Sequence, residues 1–263
     1  MVKQLGVLID FTDLCYTSVN FAKSIAKKAG AKVSLIHVAK KNEIDTNEKF
    51  LPFVAKLQSA GLDVTTAAPT GNFEKIVPGV IAESRVEMVV VGTHGVVGIR
   101  QHLFGANILK LVKHIGANTL VVQEKSVFNE SHKPRILFPV SPQENFPDYV
   151  GEIKNFASLL NAEVLIYTIV KSDLGPGEEI ERNKEMAAEL LAANGIGFQI
   201  VDDPASVYSY GFGKQIVEFA NSNSVDFISI NSKPASNLAV LADADKELII
   251  INKYSIPVFC FNK

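Results

Sequence analysis

Apolar residues in this chain come in short β-branched runs with no clean polar alternation, at 7–10 (VLID), 33–38 (VSLIHV), 86–95 (VEMVVVGTHG) and 118–125 (NTLVVQEK). Such runs suit strands buried on both faces, as in a parallel sheet. Between them the apolar positions recur at helical spacing. Residues 18–29 put Val19, Ala22, Ile25, Ala26 and Ala29 on one stripe, and Gly30 stops it. Residues 50–60 offer Phe53, Val54 and Leu57, with Gly61 as the stop. Residues 72–84 offer Phe73, Ile76, Val77, Val80 and Ile81, with Pro78 expected to bend that helix or mark its first turn. Residues 106–115 offer Ile108, Leu109, Leu111 and Val112. Strand and helix alternating in this way predict an α/β fold, a doubly wound parallel sheet of about five strands with helices on both faces.

The pattern then recurs. Residues 7–10 align with 138–141 (FPVS), and the same offset sets 33–38 on 164–169 (VLIYTI). Further on, 86–95 falls on 225–234 (VDFISINSKP), and 118–125 on 256–263 to within one residue. Four apolar runs in one order predict two tandem Rossmann-like domains, 1–130 and 131–263, joined by the polar stretch 126–135. Residues 184–193 and 214–221 are two expected helices of the second domain.

The 263 residues carry a formal net charge of -2, with 47% hydrophobic and 21% charged residues. That balance lacks the broad basic footprint of nucleic-acid binding. No apolar run approaches the roughly 18 residues of a membrane span. The opening MVKQLGVLIDF reads as a first strand, not a signal peptide. The expectation is a cytoplasmic soluble protein with neither nucleic acid nor membrane as partner. Cys15 and Cys260 lie at opposite ends without CxxC or Cys/His spacing, which argues against a disulfide scaffold or a structural zinc site.

In an open parallel sheet, ligands bind beyond the carboxyl ends of the strands, at the switch point. The residues that matter therefore follow Ile9, Val38 and Val91. The loop Asp10-Phe11-Thr12-Asp13 contains no glycine, which excludes a dinucleotide fingerprint there, and no GxxxxGK[ST] occurs anywhere. After the fourth strand come Gly92-Thr93-His94-Gly95, nine residues, then Gly105-Ala106-Asn107 opening the last helix. Two glycines three apart allow a tight turn and close approach to a ligand. A third at a helix start leaves bare N–H groups facing an anion. Asp10 is placed to accept hydrogen bonds from a ribose or a base, and Phe11 to pack on a base or in the core. Glycines alone fit equally well a loop that merely turns the chain.

His94, His102 and His114 have no carboxylate or thiol at ligand spacing, so no metal is expected, although His94 sits within the glycine loop. Cys15 is expected to be a small buried hydrophobe rather than a reactive thiol. Asp10 and Asp13 have no nucleophile or base beside them, so no catalytic residue is expected. Residues 178–181 (EEIE), after Gly175-Pro176-Gly177, read as a solvated helix start.

The spacing G-x2-G-x9-G before the last helix resembles the ATP-binding signature of the universal stress protein family. Asp10 in IDFTD resembles that family's nucleoside-contacting aspartate, and His37-Val38 its HV pair, whose valine lines the adenine pocket. The run TLVVQ resembles its last strand. The likeness covers nearly the whole first half in order. The second half resembles the same domain with its site removed, so the chain is similar to tandem universal stress proteins. The resemblance implies a binding site of Asp10, Phe11, Val38, Val91, Gly92, Thr93, His94, Gly95, Gly105, Ala106 and Asn107. It implies ATP as the cofactor, or ADP or AMP, with Mg2+ accompanying ATP. It also implies self-association through the last strands, a homodimer, and at most a weak ATPase.

Two departures stand out. The family normally has Ser or Thr after the third glycine, where this chain has Ala106, and Ile108 replaces a further hydroxyl. A lost hydrogen bond to a charged group is worth roughly 1.5–3 kcal/mol, or about ten- to hundredfold in affinity. The backbone N–H groups stay, and Arg100 is the nearest cation. In the second half Asn231, Pro234 and Ala244 occupy the glycine positions, Asp245 that of the hydroxyl, and Ser141 that of Asp10. A carboxylate there repels phosphate and Pro234 removes a donor, so that half is expected to bind no nucleotide. Its expected task is to offer a pairing partner through 248–251 and 258–261. The reading is a cytoplasmic stress-response protein that binds ATP or a related adenine nucleotide in its first domain and acts as a binding module. Its rivals are a nucleotide-independent interaction scaffold and a slow ATP hydrolase.

Overall fold

Parallel pairing organises each half of the chain around its own five strands. The computed structural model describes residues 2–43, 45–93, 108–142, 145–170, 177–205, 212–232 and 243–262. They fall into two units, one of 1–128 with Asn262 and one of 129–261.

In the first unit the strands are β1 (Gln4–Leu8), β2 (Lys32–Ile36), β3 (Val64–Ala67), β4 (Met88–Thr93) and β5 (Asn118–Gln123). Their order is β3-β2-β1-β4-β5, every pairing parallel. Leu5, Val7, Val33, Leu35, Val89, Val90 and Leu120 are wholly buried, which is why these runs show no polar alternation. The outermost strand β3 is the half-exposed one. From β1 the chain winds outward to β2 and β3, then returns to place β4 on the other side of β1. Crossovers that leave β1 in both directions put helices on both faces.

Those helices are α1 (Leu14–Ala29), α2 (Thr46–Gln58), α3 (Phe73–Glu83) and α4 (Ile108–Ile115). Gly30 closes α1 in the left-handed region, φ 64°, as its position after the stripe suggests. The helix starts at Leu14, a turn before the expected Ser18. Pro78 marks no first turn but lies inside α3, as Pro52 lies inside α2. The Asn72 side chain caps α3 by accepting from Lys75 N–H.

The second unit repeats the plan with β6 (Arg135–Pro139), β7 (Glu163–Val170), β8 (Phe198–Pro204), β9 (Phe227–Asn231) and β10 (Val258–Phe261). Its order is β10-β9-β6-β7-β8, again all parallel. Its helices are α5 (Phe146–Leu160), α6 (Glu178–Ala193), α7 (Phe212–Ser222) and α8 (Asp243–Ile250). The acidic run does open a helix: Gly177 precedes α6, with Glu178, Glu179 and Glu181 in the first turn. Residues 248–250, expected to help form a pairing surface, close α8 instead, and Ile249 and Ile250 are buried. Among the described residues no helix is long and apolar enough to cross a membrane.

Gly92 lies elsewhere than its spacing in the sequence suggests. Gly92 and Thr93 belong to β4, opposite Val122 and Gln123 of β5, and not to the loop after it. A Cβ at position 92 would lie 2.7 Å from Leu14 Cγ and 2.8 Å from Ser18 Oγ, so this glycine lets α1 settle on β4. Gly92→Ala is expected to cost about 1–3 kcal/mol by overpacking, read as a lower midpoint in urea unfolding at unchanged slope.

Candidate functional site

The switch point of the first unit lies between β1 and β4, and register decides what meets there. Leu5 pairs with Met88 and Val7 with Val90, an offset of 83, so Asp10 comes level with Thr93. Gln4 pairs with Lys32 and Leu8 with Ile36, an offset of 28, so Asp10 is also level with Val38. Continued along the strands, these offsets bring three residues picked out in the sequence to one level at adjacent strand ends, with Thr93 the last residue of β4. Val91 and Thr93 are buried within β4. His94, Gly95, Gly105, Ala106 and Asn107, with Arg100 and His102, lie outside the described residues.

Asp10 anchors the turn from β1 into α1. Its Oδ1 accepts from Thr12 N–H at 3.0 Å, from the Thr12 hydroxyl at 2.6 Å and from the Cys15 thiol at 3.0 Å. No hydrogen bond among the described residues reaches Oδ2, which leaves one carboxylate oxygen to accept from a ligand hydroxyl or amine. Phe11 follows at φ 62°, a conformation costing a bulky residue roughly 1–2 kcal/mol. The reversal brings its ring to 4.4 Å from the His37 ring and 5.1 Å from that of Phe50, with Lys49 Nζ 5.6 Å over its face. These partners hold Phe11 against α2 and offset the strained backbone.

Behind that ring sits buried His37. Nδ1 lies 2.8 Å from the Ile9 carbonyl and Nε2 3.0 Å from Glu43 Oε2. Both partners are acceptors, and the ring is held between them. Glu43 also accepts from Lys49 Nζ at 2.9 Å and from Lys40 N–H. The chain from the Ile9 carbonyl through His37 to Glu43 thus ties the end of β1 to the segment that leads into α2. Nothing in the HV spacing announces Glu43 or Lys49 as its partners.

Hydrogen bonds from His37 and Lys49 lower the Glu43 carboxyl from 4.5 to about 2. A lowered carboxyl stabilises the fold fully above its ordinary value and loses that contribution as pH falls through its folded value. Melting temperature should therefore decline from about pH 4.5 toward pH 2, and Glu43→Gln should remove part of that decline. A variant with an unchanged pH profile would show the network to be inert.

Burial, with the Asp10 charge beside it, pushes the Cys15 thiol up to about 12, and burial raises Cys260 as well. Cys15 is thus a protonated donor to Asp10, in keeping with its expected role as a small buried group. Iodoacetamide at pH 8 should label neither cysteine in the native chain and both after denaturation. Labelling of native Cys15, located by peptide mass spectrometry, would contradict this. His114 bonds the Lys110 carbonyl through Nδ1 at 2.6 Å. Among the described residues no group of three or more His, Cys, Asp or Glu is arranged to hold a metal ion.

The second unit has a feature that its lost glycines do not suggest. A cavity of ≈ 690 Å³, counting its open mouth, lies over the carboxyl ends of β6, β7 and β9, between α5, α6, α7 and α8. It occupies that unit's own switch point, between β6 and β9. Ser141, Thr168 and Asn231 contribute polar groups, Lys246 a cation, and Ile169, Phe212 and Ile216 apolar walls. Asp245 does not appear on its wall; its Oδ1 accepts from Gly213 N–H at 3.0 Å and holds the first turn of α7. Thr168 and Lys246 carry no motif that sequence reasoning could have used.

No protein-family model and no curated protein sequence matches the chain. Solved structures do. A universal stress protein from Archaeoglobus fulgidus, 15% identical, covers 99% of this chain and 96% of its own length at a TM-score of 0.71. A protein of unknown function from Pseudomonas aeruginosa, 14% identical, covers 99% and 92% at 0.70. At half length, a universal stress protein family protein from Arabidopsis thaliana with AMP bound is 15% identical over 46% of this chain and 91% of its own, at 0.37. At such identities the likeness is one of fold: over its full length the chain has the α/β fold of the Archaeoglobus universal stress protein.

Proposed function

We propose that the first unit binds an adenine nucleotide at the β1–β4 switch point and that the chain works as a nucleotide-responsive binding module in the stress response. The observation that carries this reading is the common level of Asp10, Val38 and Thr93 at three adjacent strand ends, with Asp10 Oδ2 open to a donor. The likeness of IDFTD, His37-Val38 and the glycine spacing to the family's signature supports it. In this reading Asp10 receives hydrogen bonds from the nucleoside and Val38 lines the adenine. Gly95, Gly105, Ala106 and Asn107 meet the phosphates through backbone N–H groups, with Mg2+ accompanying ATP. Phe11 acts through its neighbours, holding the Asp10 turn against α2. No residue is assigned a catalytic role, and the cell compartment proposed is the cytoplasm.

Calorimetric titration with ATP, ADP and AMP tests the reading. Saturable binding near one per chain is expected, and Asp10→Ala should weaken it by at least tenfold. Ala106→Ser should strengthen it by about tenfold, because it restores a hydroxyl donor at the phosphates. A chain that ignores all three nucleotides, before and after Ala106→Ser, would favour the scaffold. Turnover abolished by Asp10→Ala would favour the hydrolase.

A further inference from the structure

The donors that hold Asp10 all meet the same one of its two carboxylate oxygens. Thr12 gives Oδ1 its N–H at 3.0 Å and its hydroxyl at 2.6 Å, bonds that the turn makes within itself. A third donor comes from α1. The Cys15 thiol donates to Oδ1 at 3.0 Å, and its sulfur accepts from Asp10 N–H at 3.3 Å. One atom thus meets both the main chain and the side chain of the same residue. Contacts at both ends restrict the torsions between them and select one staggered position for the Asp10 side chain. Cys15 is itself fixed, buried in the first turn of a helix of 16 residues.

A thiol donates only while it carries its proton. Burial and the Asp10 charge push Cys15 up to about 12, so the donor persists across the neutral range. The second unit supplies an internal comparison. The offset that sets residues 7–10 on 138–141 also sets Gly30 on Asn161, and both close their helices in the left-handed region, at φ 64° and φ 53°. Residues of α1 and α5 therefore correspond one to one. Ser141 takes the place of Asp10, and Phe146 that of Cys15. Phe146 is fully buried, and its ring stacks on Phe138 at 5.5 Å. The fold accepts an apolar ring at this place, so packing alone does not call for a thiol. Where the carboxylate is absent, its donor is absent too.

We propose that Cys15 is a positioning residue for the ligand site of the first unit: with Thr12 it saturates Oδ1 and holds the Asp10 side chain in the one rotamer that leaves Oδ2 for the ligand. What meets Oδ2 rests on the nucleotide reading above, whereas the hold on Asp10 does not. A carboxylate used in this way only accepts, so the ligand group it selects is a hydroxyl or an amine. The acceptor is fixed before the ligand arrives, and no binding free energy goes into ordering it. By that route a residue that touches no ligand sets affinity.

The test compares Cys15→Ser, which keeps a donor at that place, with Cys15→Ala, which removes it, in the full-length chain. Three-bond Hα–Hβ couplings of Asp10, measured without ligand, report its χ1. Wild type and Cys15→Ser should show one staggered rotamer, and Cys15→Ala an average over several. Calorimetric titration with AMP should give about threefold to tenfold weaker binding in Cys15→Ala, with Cys15→Ser within about twofold of wild type. Thr12→Val, which keeps the N–H and the shape, should act in the same direction. A packing role alone would lower the melting temperature of Cys15→Ala and move neither readout. Should Cys15→Ala not fold, Cys15→Val makes the same comparison with the volume restored. Averaged couplings in wild type, unchanged couplings in Cys15→Ala, wild-type AMP affinity in Cys15→Ala, or a Cys15→Ser variant that behaves as Cys15→Ala would each overturn the proposal. Absence of AMP binding in wild type would overturn the nucleotide reading instead, and the couplings would still decide the role of Cys15.

Discussion

Everything chemical in this protein depends on one topological constraint: in each unit the strand order reverses beside the first strand. Crossovers leave in opposite directions from β1 and from β6, which opens a crevice at the ends of β1 and β4, and of β6 and β9. Parallel pairing then sets which residues reach the gap. The offsets of 28 to the neighbouring strand, Gln4 to Lys32 and Arg135 to Glu163, are the same in both units. Asp10 and Ser141 thus occupy corresponding places, as do His37 and Thr168. Close packing behind the gap keeps these levels in place, and Gly92 shows how tight it is, since even a methyl group there would collide with α1.

The two units fill the same frame with different chemistry. In the first, the end of β1 is tied down by an aspartate that bonds its own turn, by an aromatic ring in a left-handed conformation and by a buried His37–Glu43–Lys49 network. Each element restrains the next: the strained Phe11 is held by His37, and His37 by the Ile9 carbonyl and Glu43. In the second, Ser141 stands in place of Asp10, and its carbonyl accepts from Asn183 Nδ2 of α6 at 2.9 Å. That bond pins α6 beside the cavity. The first unit invests its polar groups in holding one acceptor oxygen open, whereas the second encloses a volume.

Much of this was legible in the chain. The repeat, the alternation of strand and helix and the parallel class follow from apolar runs and their order, because two-sided burial leaves that signature. Asp10 was legible through its place after the first strand, and Gly30 through its place after a stripe. Other features were hidden because they depend on contacts distant in sequence. Gly92 looks like a loop glycine until the approach of α1 is known. Pro52 and Pro78 argue against helices that form around them all the same, with tertiary packing outweighing a local cost. The start of α1 at Leu14 was missed because its first turn carries no apolar stripe of its own beyond Leu14 and Cys15.

The second unit separates two things that a motif joins. A glycine signature reports a backbone shaped for one kind of ligand, whereas the concavity comes from strand order and survives the loss of that signature. Asp245, read in the sequence as a charge that would repel phosphate, instead bonds Gly213 N–H, so its presence speaks to the seating of α7 and not to the cavity's ligand. Inside, the Thr168 hydroxyl on the cavity wall has no hydrogen-bond partner among the described residues. A valine would fill the same shape without carrying an unbonded oxygen into the interior. A hydroxyl at that position instead puts a polar point into a wall that Ile169, Phe212 and Ile216 make largely apolar, at the place where the first unit sets a bonded His37 ring.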